Sequence, residues 1–169
     1  GIDVRTTRYG QKAIVFAVSH PHPHDGISTE IHRTGGPFTL VPLPDAEDGT
    51  HRSAIVWMET GPNASELMAL DDAAFSTAAT DRSCLVLGPL TLESPRRMWP
   101  IISQEARALT ARRTALIAEA AHVMPPIGAQ GLNTSFADIA ALRDASTRHA
   151  LGSDAMLTDY ERSRAQDIS

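Results

Sequence analysis

The chain has 169 residues, 42% of them hydrophobic and 21% charged, with a formal net charge of −5 and a pI near 5.8. That is enough chain for one real core, or for two small lobes sharing one, and the acidic balance argues against a nucleic-acid-binding face. Apolar runs such as Ala13–Val18 stop far short of the roughly twenty residues a membrane span needs, and the single cysteine, Cys84, excludes an internal disulfide and fits a reducing compartment.

The first sixty residues read as β structure. "QKAIVFAV", "FTLVPL" and "RSAIVWM" are apolar, β-branched runs, and "ISTEIH" offers a further strand. Polar turn clusters separate them: "HPHPHDG", "RTGGP" and "PDAEDG". Short turns between strands predict antiparallel pairing, and Pro42 predicts an edge or a bulge because proline cannot donate to a ladder. The next stretch, "NASELMALDDAAFSTAATD", carries Leu67, Leu70, Ala74 and Phe75 at helical spacing, which predicts a helix near 65–80. "LTLESPRRMWPIISQ" returns to strand-like composition, interrupted by Pro95 and Pro100. The expected sheet therefore draws on residues 11–59 and 90–104, with the helix on one side: an α+β fold.

From residue 114 the pattern changes to strand, loop and helix. "TALIA" (114–118) is a short continuous apolar run, which predicts a buried strand. Leu132, Phe136, Ile139 and Ala140 follow an i, i+4, i+7, i+8 pattern, predicting a helix over 132–149 with those residues inside and Asp138, Arg143 and Asp144 outside. A more polar helical stretch, "AMLTDYERSRAQD", closes the chain. Between strand and helix lies "HVMPPIGAQGLN", residues 122–133. Glycines there permit close approach of a ligand to the backbone, and a helix N-terminus carries unpaired N–H groups and partial positive charge. Such a loop can present amides to a flat or anionic ligand. Equally, it can be a rigid connection that only turns the chain.

Other candidates have plain structural readings beside the chemical ones. His20, His22 and His24 would share one face of an extended strand and so offer metal ligands, but the intervening prolines read as an exposed loop; no metal site is predicted. The arginine pairs at 96–97 and 112–113 read as solvated surface. Cys84, in the apolar context "CLVLG", reads as inert core. No Gly-x-Ser-x-Gly elbow is present, and no catalytic residue is assigned.

The wider string "TALIAEAAHVMPPIGAQGLNTSFADIAAL" resembles the carboxyl-side flavin motif of the FAD-dependent aromatic monooxygenases, the p-hydroxybenzoate hydroxylase class, and within it the ubiquinone-biosynthesis hydroxylases. "YGQKAIVFAVSH", "GPFTLVPLPD", "SAIVWMET" and "LTLESPRRMWPI" resemble the substrate-domain strands of that family, in the same order. The resemblance implies a substrate-domain-like antiparallel sheet over residues 1–108, and over 109–169 a strand–loop–helix part of the FAD-binding domain. It implies that Glu119 meets the ribitol side of FAD, a departure from the family because Ala118-Glu119 stands where Gly-Asp is usual. It further implies that Pro126, Gly128 and Gln130 run along the isoalloxazine, and that the amides of Gly131, Leu132 and Asn133 face its pyrimidine edge. Asn133 has the alternative of a simple helix cap, Glu119 of a solvated carboxylate, and His122 of a packed histidine. Phe38, Leu40 and Trp57 are candidates for the substrate chamber.

The family's Gly-x-Gly-x-x-Gly turn for the ADP half of FAD has no counterpart: Gly35-Gly36 and the Gly128/Gly131 pair have the wrong spacing. The "DG" pairs at Asp25 and Asp48 read as hairpin turns, and "GIDVRTTRYG" reads like the middle of a longer sequence, with no signal-peptide pattern. The expectation is a carboxyl-side fragment of a hydroxylase that uses FAD, NAD(P)H and O2 on an aromatic ring of a polyprenylated quinone precursor. The alternative is a non-catalytic binding or interaction module derived from that fold. Expected partners are a small aromatic or quinone-type substrate, no nucleic acid, and a second copy of the fragment through bared apolar surface. The expected location is cytoplasmic, with a membrane-peripheral one left open by the lipophilic substrate.

Overall fold

The computed structural model describes residues 2–126 and 130–168. It divides into two compact units, one of residues Gly10–Ile101 and one of Gly1–Tyr9 with Ile102–Ser169. The sequence division was set after residue 108 instead; the strands β1 (Val4–His20) and β6 (Arg97–Ala106) each run through both units.

In the Gly10–Ile101 unit, β1 pairs antiparallel with β4 (His51–Thr60), from Gln11 opposite Thr60 to His20 opposite His51. On the far side of β4 lies β3 (Gly36–Leu43), followed by β2 (Thr29–Arg33), both antiparallel. The two-residue β5 (Thr91–Leu92) pairs with β1. Side chains alternate across a strand, so Ile14, Phe16 and Val18 of β1, Phe38 and Leu40 of β3, and Ile55 and Trp57 of β4 form one buried face. Pro42 stands beyond the last β2–β3 pair, Thr29–Leu40, where β3 has only β4 beside it. Its missing N–H costs no ladder bond there.

Two helices cover that face where the sequence predicts one: α1 (Gly61–Ala69) and α2 (Asp72–Arg82). Leu70 and Asp71 are extended, and the Asp71 carboxylate accepts from Ala74 N at 2.8 Å, capping α2. Ala64, Phe75 and Ala79 close the core, with Phe75 edge-on to Phe16 at 4.9 Å between centroids. Arg96, expected on the solvated surface, instead lies 4.6 Å over the Phe75 ring and donates to the Leu67 and Leu70 carbonyls at the end of α1. Open carbonyls at a helix C-terminus attract such a cation. Cys84, expected in the core, is exposed. It and Leu85 take positive φ (55° and 57°) just past α2, which turns both side chains outward. The β2–β3 turn uses Gly35 and Gly36 at φ of 101° and 144°; a Cβ on the first would overlap the Glu59 carboxylate, and on the second would stand 2.8 Å from Met58 Cβ.

In the other unit, β6 pairs antiparallel with β9 (His122–Val123) through Gln104–Val123 and Glu105–His122. The expected buried strand over 114–118 is absent. Thr114–Ala115 (β8) only closes a hairpin with β7 (Thr110–Ala111), and Ala118, at φ 55°, ends the extended run and enters a 3₁₀ turn over Ala118–Ala120. Residues Leu116 and Ile117 are half-buried. Helix α3 (Gln130–Arg148) begins two residues before its expected start, and α4 (Asp154–Ile168) follows. The buried face of α3 is also the reverse of the expected one. Asp138 and Ala145 are fully buried, whereas Leu132, Phe136 and Ile139 are 64%, 59% and 51% exposed. The i, i+3, i+7 set of Asp138, Ala141 and Ala145 is what packs in this unit, with Ala106, Leu109, Ala121, Met156 and Tyr160.

Candidate functional site

The head of α3 and the segment before it form a cleft of ≈ 320 Å³ lined by Glu119, His122, Val123, Met124, Gly131, Leu132 and Ser135. Its position is fixed from below by one carboxylate. Asp138, one helical turn and more along α3, accepts from Ala118 N at 2.8 Å and from His122 Nε2 at 2.7 Å on one oxygen, and from Arg164 Nε at 2.7 Å on the other. Burial alone pushes a carboxyl pKa up, but these three hydrogen bonds outweigh it and hold Asp138 below the usual carboxylate range. Ionised Asp138 only accepts, so His122 donates through Nε2. Tyr160 hangs on the same cluster. Its hydroxyl donates to the Leu116 carbonyl at 2.7 Å, and burial, with Asp138 nearby, pushes its pKa up to about 12.

Glu119 is exposed at the cleft, and Gly131, Leu132 and Asn133 are exposed on the first turn of α3. Gln130 opens that helix and Pro126 is exposed before it; Gly128 lies outside the described residues. The first turn of α3 carries no acidic side chain, and a Cβ placed on Gly131 would meet nothing within 4 Å. The backbone there is open to a flat, electron-rich group, which fits the pyrimidine edge of a flavin. The cleft volume is at the lower end of the roughly 300–1,000 Å³ typical of ligand pockets. It has room for a ring system, not for a whole dinucleotide.

The three substrate-chamber candidates part company. Phe38 and Leu40 are sealed in the core beneath α1 and α2. Trp57 belongs to the same core and also lines a separate cleft with Glu59, Asn63, Glu66, Leu67 and Leu70; its indole N–H is buried without an acceptor among the described residues. His20 donates through Nδ1 to the His22 carbonyl and shares a hydrogen bond with Ser53 Oγ through Nε2, and burial lowers its pKa. Among the described residues, no group of three or more His, Cys, Asp or Glu side chains is arranged to hold a metal ion, and no helix is long and apolar enough to cross a membrane.

Arg164 and Tyr160 are residues that sequence reasoning passed over, and Asp138 is one it placed on the outer face. The signal was present: Asp138 sits in register with Ala141 and Ala145, and Met156, Tyr160 and Arg164 recur every fourth residue along α4. A charge inside an otherwise apolar stripe marks a buried ion pair when the facing helix carries its opposite at the same period.

A family model described as "FAD binding domain" matches residues 3–168. The chain belongs to that family. A relative from Rhodospirillum rubrum, ubiquinone hydroxylase UbiL, is 35% identical over 172 residues, covering 99% of this chain and 39% of the relative. The mitochondrial ubiquinone biosynthesis monooxygenase COQ6 of Xenopus tropicalis is 30% identical over 167 residues, covering 76% of this chain and 35% of the relative. Among solved structures, Pseudomonas aeruginosa PqsL in complex with 2-aminobenzoylacetate superposes with a TM-score of 0.72 at 23% identity, over 96% of this chain and 46% of that one. That likeness shows a shared fold. The chain spans about two fifths of the length of the curated relatives named here.

Proposed function

We propose that the whole protein to which this chain corresponds is an FAD-dependent monooxygenase. Its substrate would be an aromatic ring of a polyprenylated quinone precursor, with NAD(P)H as reductant and O2 as co-substrate. The observation that carries the reading is the open backbone at Gly131, on a helix start free of acidic side chains, facing a cleft walled by Glu119 and His122. The similarity to UbiL and COQ6 supports the reaction class.

In this reading FAD, when bound, supplies the electrons and the oxygen activation. The chain's own residues bind and orient. The amides of Gly131, Leu132 and Asn133 stabilise negative charge on the flavin's pyrimidine side, as a helix N-terminus does. Glu119 accepts from a ribitol hydroxyl, and Pro126 and Gln130 flank the ring. Of the three substrate candidates, Trp57 is the one that also lines a cleft. This chain alone is proposed to be inactive and to hold FAD poorly, since the adenosine half has no glycine-rich turn to sit on and only the surplus over association cost appears as affinity. The exposed stripe of Leu132, Phe136 and Ile139 supports self-association of the isolated chain.

Gly131→Asp in the full-length protein tests the reading. A carboxylate in a first helical turn favours the helix itself, so folding is expected to persist while FAD affinity, read by flavin fluorescence titration, falls about tenfold or more. Unchanged affinity would remove α3 from the flavin site.

A further inference from the structure

The unassigned cluster with the most structure behind it is the ion network beneath the cleft. Asp138 is fully buried, and its partners His122 and Arg164 are 5% and 2% exposed. Three hydrogen bonds of 2.7–2.8 Å reach it from three different parts of the chain: the 3₁₀ turn, β9 and α4. Cohesion by itself does not require this, because apolar side chains of similar volume commonly do as well as a buried ion pair. What a buried carboxylate adds is direction. It holds the Ala118 amide inward at φ 55°, which fixes the start of the turn bearing Glu119. It also fixes the orientation of the His122 ring, which forms part of the cleft wall.

We propose that Asp138 is a positioning residue for the flavin: acting through Ala118 and His122, it sets where Glu119 stands against the ribitol and where the imidazole stands against the isoalloxazine. It thereby governs the affinity for the flavin and the environment the bound ring senses. Asp138 touches no ligand in this arrangement; Glu119 and His122 do. The inference rests on the flavin reading of the cleft.

The test compares Asp138→Asn, His122→Leu and His122→Gln in full-length protein. It reads the FAD dissociation constant, the visible absorption spectrum of the bound flavin and the melting temperature of the apoprotein. His122→Leu and Asp138→Asn are expected to weaken FAD binding about tenfold, roughly the loss of one charge-assisted hydrogen bond, and to shift the flavin spectrum. His122→Gln keeps an N–H at reach of Asp138 and is expected to restore most of the affinity and the wild-type spectrum. Should Asp138→Asn fail to fold, the leucine–glutamine pair at 122 decides alone. A fall in apoprotein melting temperature with unaltered affinity and spectrum would leave Asp138 a purely structural residue and overturn the proposal. Wild-type protein that takes up no flavin would overturn the flavin reading, and this inference with it.

Discussion

In the Gly10–Ile101 unit the side chains sealed from solvent are chiefly Ile14, Phe16, Val18, Phe38, Leu40, Ile55 and Phe75. In the unit built on α3 and α4 the apolar positions are smaller, with alanines at 106, 121 and 145, and Asp138, His122, Arg164 and the Tyr160 hydroxyl lie among them. The first unit is held chiefly by burial of large side chains, which is non-directional, with His20, buried against Ser53, among its few buried titratable groups. The second depends on a few directional bonds to single atoms, including Glu161, whose carboxylate accepts from Leu109 N and Thr110 Oγ1. Packing tolerates approximate shape; a buried carboxylate does not tolerate the loss of a partner. The unit carrying the candidate cleft is therefore the one with more tightly defined positions.

The largest effect that would test this contrast is expected at Phe75. Phe75→Ala removes a fully buried ring and should destabilise the chain by about 3–5 kcal/mol in urea unfolding, with the loss unchanged between pH 5 and 8. Acid should reach His20 of this unit first, because burial holds its pKa below the unfolded value near 6.5, and at lower pH it should act on the other unit. The Asp138 pKa is lower in the folded than in the unfolded state, so its stabilisation is complete above the unfolded carboxylate pKa, near 4, and is lost as pH falls through the lower folded value. Amide exchange at Ala118 should accelerate over that window while amides of β4 stay protected. Equal acceleration in both units would erase the distinction.

Tyr160→Phe deletes one hydroxyl and leaves the Leu116 carbonyl without its donor. A cost of about 1–2 kcal/mol in thermal unfolding is expected. With a folded pKa of about 12 against an unfolded value near 10, the wild-type tyrosine's advantage is intact below pH 10 and declines as pH rises toward 12. The smallest effect is expected at Asp71→Ala, which removes the α2 cap for about 1 kcal/mol. Its readout is fraying at Ala74 by amide exchange, with no change in the α3–α4 unit.

The sheet was legible because apolar, β-branched runs stand between polar turns, and those turns set antiparallel order. The face each residue takes was not, since Ala13–Val18 is apolar throughout and only the partner strands decide which side is buried. What stayed hidden was decided by partners rather than by pattern. Leu132, Phe136 and Ile139 make the stronger apolar stripe on α3, yet the helix turns Asp138 inward because Arg164, twenty-six residues later, neutralises it. The apolar run at 114–118 reads as a strand, but Ala118 at φ 55° is tied to that same carboxylate. Of the positions expected to face flavin, Glu119, Gly131 and Leu132 line one cleft. His122 joins them through a contact that no spacing rule contains.

The glycine pair at the β2–β3 turn has a practical consequence for anyone labelling this protein. The space a side chain would need at Gly35 and Gly36 is already taken by Glu59 and Met58, so a tag, a dye-bearing residue or a linker placed at that hairpin would pry β3 from β4. At the Asp48-Gly49 turn nothing lies within 4 Å of where a Cβ on Gly49 would sit, although its φ of 83° means the glycine itself is best kept and the insertion made beside it. An inserted reporter belongs there, on a loop tip whose neighbours it does not displace.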